Sequence, residues 1–89
     1  MAVTRTLDLT LYLGAHSITR NPTFRSRMTE QVVRDFLESG ASAMEVRFEK
    51  TDYTLQWLYK GFWNTCAKVY YRDQVRVSKR EGKLILIRK

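Results

Sequence analysis

Cysteine, histidine and proline each occur once in these 89 residues, and glycine only four times. The single cysteine, Cys66, excludes an intramolecular disulfide and fits a reducing compartment. His16 has no partner at zinc-binding spacing and no glycine-rich stretch forms a phosphate cradle, so no metal and no cofactor is expected. The longest uncharged apolar run is far too short to span a membrane. The opening MAVTRTLDLT alternates like a strand instead of forming a signal-peptide block, so an intracellular setting is expected. No repeat or biased tract interrupts the chain. Acids are scarce as well: nine of them face 16 cations, for a formal net charge of +7. That imbalance favours an anionic partner, nucleic acid first and an acidic protein surface second.

What is present suffices for one folded domain spanning residues 1–89. Hydrophobic residues make up 44% of the chain and aromatics 12%, more than a disordered chain carries. In RTLDLTLYLG, Leu7, Leu9, Leu11 and Leu13 recur at every second position, which predicts a strand with one apolar face. Gly14 and the polar loop AHSITR follow. Asn21-Pro22 then supplies a helix cap and a proline suited to the first helical position. Phe24, Met28, Val32 and Phe36 make one stripe of that helix, with Val33 and Leu37 beside it, while Glu30, Arg34 and Glu38 are spaced for ion-pair ladders. Gly40 suits a left-handed stop. Met44, Val46 and Phe48 alternate with Glu45, Arg47 and Glu49, which predicts a second strand and hence a parallel crossover unit.

The stretch WLYKGFWNTCAKVYY sets large aromatic side chains among lysines. Helical spacing predicts a second helix from about residue 52 to 72, capped by Thr51 or Asp52, with Leu55, Leu58, Tyr59, Phe62, Cys66, Val69 and Tyr70 on its inner side. On this reading Cys66 is a buried small hydrophobe. At about 100° per residue, Trp57, Lys60, Asn64, Lys68 and Tyr71 share the outer arc. Trp57 and Tyr71 are then candidates for base stacking or for a protein interface. Alternation of Tyr53, Leu55, Trp57 and Tyr59 leaves a strand ending at Lys60-Gly61 as the rival, and a helical Gly61 costs about 1 kcal/mol relative to alanine. QVRVS and KLILIRK flank KREG as a hairpin with Gly82 at its turn. The expected fold is α+β, a βαβαββ two-layer sandwich with two helices on one face of a mixed four-stranded sheet. Ile85 and Ile87 oppose Leu84 and Leu86 on the last strand, and apolar residues on both faces predict a homodimer contact.

From Lys68 onward the chain holds eight cations and two acids, so nearly all the net charge sits in its last quarter. Lys60, Lys68, Arg72, Arg76, Lys79, Arg80 and Lys83, with Arg88 and Lys89 at the end, form a candidate phosphate-binding patch. Arg20, Arg25 and Arg27 flank the start of helix one, where the helix dipole also favours an anion. His16 and Cys66 are the one conceivable base and nucleophile, and a buried Cys66 rules that pair out, so no catalytic residue and no enzyme is expected.

In this order the elements resemble those of the Alba-type family of small basic archaeal chromatin and RNA-binding proteins. LTLYLG matches as first strand and turn, FLESGASAMEVRFEK as helix end, glycine and second strand, and LILIRK as closing strand. The resemblance implies a βαβαββ homodimer built around the second helix and the last strands, with DNA or RNA held between the first loop and a hairpin arm. Translation-factor C-terminal domains have a similar βαβαββ order. The leading expectation is a non-enzymatic DNA- or RNA-binding protein of low sequence specificity. Its rival is a small viral or mobile-element protein that inhibits an acidic host protein through the same basic and aromatic surface.

Overall fold

The structure, a computed structural model, describes residues 4–12, 22–51 and 53–89. Leu13, Gly14, the AHSITR loop with His16 and Arg20, the cap Asn21 and the alternative cap Asp52 lie outside them. Strand β1 (Thr4–Asp8) is followed by a 3-10 turn (Leu9–Tyr12), helix α1 (Pro22–Ser39), strand β2 (Ala43–Arg47), helix α2 (Leu55–Cys66), and strands β3 (Val75–Arg80) and β4 (Lys83–Arg88). The strands form one mixed sheet in the order β1-β2-β4-β3, with β1 parallel to β2 and both other pairings antiparallel. The fold is therefore α+β, with two helices and a four-stranded mixed sheet.

The first strand is shorter than its leucine alternation predicts. Asp8 carboxylate oxygen Oδ1 accepts hydrogen bonds from the Thr10 amide (3.0 Å) and the Thr10 hydroxyl (2.7 Å). This local turn competes with the ladder and pulls the chain out of the strand. Leu9 is consequently fully buried while Leu11 is 79% exposed, so these two leucines do not share one face. The same two bonds, the hydroxyl's first, hold the Asp8 carboxyl below its ordinary range.

Helix α1 follows its sequence signals. Met28, Val32, Val33 and Phe36 are buried and Phe24 and Leu37 half-buried, and Gly40 takes φ 76° just beyond the last turn. The carbonyls left open there are bound by Arg88: its guanidinium donates to Leu37 O (2.8 Å), Ala41 O (3.0 Å) and, more weakly, Phe36 O (3.4 Å) while lying over the Phe36 ring. Arg88 thus joins the closing strand to the end of α1 and does not belong to the basic surface.

Met44 and Val46 on β2, Leu84 and Leu86 on β4, and Val75 and Val77 on β3 are buried and make one core with the helices. On the reverse face Ile85 lies between Glu45 and Ser78, and Ile87 between Ala43 and Arg76. Both isoleucines remain partly accessible on that face, away from the core. Where the helices meet, the Thr29 and Thr65 hydroxyls are 2.7 Å apart and buried. Thr29 donates back to Arg25 O at 2.9 Å, which leaves Thr65 as donor to Thr29, since each hydroxyl has one proton. Gly61 is buried in the same seam, where an added Cβ would stand 2.7 Å from Arg25 Cδ; the glycine lets the Arg25 stem cross α2.

Candidate nucleic-acid interface

Helix α2 begins later and ends earlier than the expected 52–72. Its cap is Thr54, whose hydroxyl accepts from the Trp57 amide at 3.2 Å. Thr51 instead closes the turn after β2, donating to Phe48 O and accepting from the Tyr53 amide. The rival strand over Tyr53–Tyr59 is overturned by this cap and by helix from Leu55 onward. Beyond Cys66 the chain runs through successive turns to β3. A helix continued to Arg72 would carry Tyr71 away from α1, where its burial is worth more than further helical bonds through Val69, Tyr70 and Tyr71, residues of modest helix propensity.

That early stop exchanges the inner and outer residues. Val69 and Tyr70, expected inside, are 73% and 80% exposed. Tyr71, expected outside, is 7% exposed; its hydroxyl accepts from Arg34 Nε at 3.0 Å and lies 3.4 Å from Glu30 Oε1. Glu30 also takes Arg34 (3.0 Å) and Lys68 (3.1 Å) as ion partners. Lys68 thereby belongs to the anchor that ties the end of α2 to α1. The Lys68 hydrogen bond, with help from Arg34, holds the Glu30 carboxyl below its ordinary range. A depressed carboxylate stabilises the fold above its unfolded value and loses that contribution as pH falls through the folded one. Glu30→Gln should therefore lower the urea midpoint at pH 7, with the gap from wild type shrinking toward pH 3.

Trp57 is not on an open arc either. It is half-buried, stacked on buried Tyr53 (centroids 4.7 Å, planes 18° apart) and covered by the Arg25 guanidinium at 5.0 Å. Arg25 is thus committed to packing α1 on α2, and Arg27, two residues on and turned away from it, is exposed. Cys66 is buried as expected, and burial pushes its thiol up to about 11, which suits neither nucleophile nor metal ligand.

Sequence reasoning missed the tryptophan that does stand outside. Trp63 is 57% exposed, one turn beyond half-buried Tyr59, with ring centroids 6.1 Å apart and planes tilted by 34°. Both lie on the flank of α2 that faces β3, and Lys79 reaches across from that strand to place its ammonium 4.8 Å from the Tyr59 ring centre. The indole borders two shallow depressions: Gln56, Lys60 and Lys79 line the first, Arg72, Arg76 and Lys89 the second, with Val75 and Val77 as its floor. The available signal was Trp63 following Tyr59 by four residues, a same-face pair.

Neither a protein-family model, nor a curated protein, nor a solved structure matches this chain.

Strand alternation divides the hairpin's cations. Lys79 points to the helix side, whereas Arg80 and Lys83 sit directly opposite each other across the strands, beside a two-residue turn with positive φ at Glu81 (53°) and Gly82 (77°). These angles are those of a type I′ turn. The hairpin is present as expected, but its cations do not form a single patch, being divided between the two faces of the sheet. Among the described residues, the ion pairs found engage Arg34, Arg47 and Lys68; Lys60, Arg72, Arg76, Lys79, Arg80 and Lys83 are in none of them. No group of three His, Cys, Asp or Glu side chains that could hold a metal occurs among the described residues, and no described helix is long and apolar enough to cross a membrane.

Proposed function

We propose that this chain is a small, non-enzymatic, Alba-like nucleic-acid-binding protein that acts as a homodimer and grips phosphates with little regard to sequence. The observation that carries the reading is the ridge along edge strand β3, where Lys60, Lys79 and Arg72 lie around one exposed tryptophan and Arg76, from the strand's reverse face, borders the same depression at the sheet edge. Cations gathered around an aromatic surface suit a polyanion with planar bases. A second feature points the same way. Arg80 faces Lys83 across the hairpin, and like charges so paired destabilise a sheet, a cost that a phosphate between them removes. For the dimer, the support is the reverse sheet face, where Ile85 and Ile87 stand apolar and partly accessible beside Ala43, Glu45, Arg76 and Ser78.

The test is a titration of the whole chain with single-stranded and duplex DNA and RNA at two salt concentrations, followed by sedimentation of the free protein. Binding that weakens with salt on unrelated sequences is expected, from a protein sedimenting as a dimer. Absence of nucleic-acid binding at low salt would refute the function, leaving an acidic protein as the partner to seek. A monomer at high micromolar concentration removes the dimer alone.

A further inference from the structure

We infer that Trp63 is a stacking platform for unpaired bases, so that this chain's nucleic acid is single-stranded. The inference rests on the phosphate-binding reading above and adds the class of strand. Three observations carry it. First, the indole is 57% exposed although α2 has a buried stripe one step away at Phe62, Thr65 and Cys66. Leaving so large an apolar ring in water forgoes stabilisation that a base stacked on it would recover.

Second, Trp63 borders both depressions, with Lys60 and Lys79 beyond one and Arg72 and Arg76 beyond the other. A base entering either depression meets the indole, and its phosphate meets a cation pair on the outer rim. Consecutive nucleotides of one strand could occupy the two sides in turn. Third, Tyr59 extends the aromatic surface by one helical turn and already has an ammonium over its ring, so charge and π surface are adjacent before any ligand arrives. A duplex keeps its bases stacked inside and offers this indole only its backbone, whereas a single strand can present base faces and phosphates together.

The experiment compares wild type, Trp63→Ala, Trp63→Phe and the charge-removal variant Arg72→Ala/Arg76→Ala/Lys79→Ala on one short unstructured oligonucleotide and on its duplex. Trp63→Ala should lose about 5- to 150-fold on the single strand, the range set by stacking one base. Its salt slope should not change, because no phosphate contact is lost, and its duplex affinity should hold. Trp63→Phe should recover most of the loss. In Trp57→Phe, where Trp63 is the remaining indole, the single strand should quench fluorescence. If Trp63→Ala binds the single strand like wild type while the charge-removal variant binds weakly, stacking is refuted and the phosphate reading stands. Equal losses on strand and duplex also overturn the inference, since the indole would then serve the surface and not the unpaired base. If wild type binds neither, both readings fall together.

Discussion

Removal of Arg72, Arg76 and Lys79 together is expected to lower the log-log salt slope of nucleic-acid binding by about 2–3 units and the affinity by roughly 100-fold at about 0.1 M salt. The size follows from counterion release. Each phosphate neutralised contributes about 0.7 to the slope on a single strand and 0.9 on duplex DNA, so three lost contacts act as a sum. All three side chains are exposed, and removing them opens no cavity. A control variant with alanine at Arg5, Arg27 and Lys50, exposed cations elsewhere on the molecule, sheds the same charge. It should keep most of the affinity if the ridge is the site. Equal losses in both variants would mean that net charge, and not this constellation, attracts the ligand.

Phe36→Ala is expected to cost about 3–5 kcal/mol of stability, the range for deleting a fully buried aromatic ring. Phe36 has no exposed surface and sits where α1 meets the core, under the Arg88 guanidinium. Its loss removes the ring and also the surface on which Arg88 rests while it binds the carbonyls ending α1. With a total stability of about 5–15 kcal/mol for a domain, such a loss leaves the fold marginal. Thermal unfolding should shift down by about 15–30 °C for a chain of this size. Phe36→Leu, which keeps most of the volume, should recover the larger part. A midpoint for Phe36→Ala within a few degrees of wild type would show that this end of α1 carries little of the core's cooperativity.

Several parts of the site are legible in the sequence. The concentration of cations beyond Lys68 is a matter of composition, and the hairpin follows from alternating residues around a Glu81-Gly82 turn. Burial of Cys66 follows from its spacing to Leu58 and Phe62. Other assignments were reversed by contacts distant in sequence. Tyr71 goes inside because Glu30 and Arg34, some forty positions earlier, meet its hydroxyl. Trp57 is covered because Arg25 crosses Gly61 to reach it. Trp63 stays outside because the core side of α2 is already filled by Leu58, Phe62 and Cys66.

By itself the sequence determined those features whose cause is local. They are α1 between Pro22 and Gly40, β2 in its alternating run, the β3–β4 hairpin, the apolar character of both faces of β4, and the placement of charge. Each depends on periodicity or turn chemistry within a few residues, and the energy that selects it is present in the segment alone. Only the tertiary structure decided where α2 stops and which aromatics face water. Helical spacing fixes the angle of each side chain about the helix axis, but the neighbours that cover those angles come from elsewhere in the chain. For α2 they are α1 on the flank of Trp57 and the edge strand β3 on the flank of Tyr59 and Trp63, and the contacts each flank makes place the exposed indole beside the cations of β3.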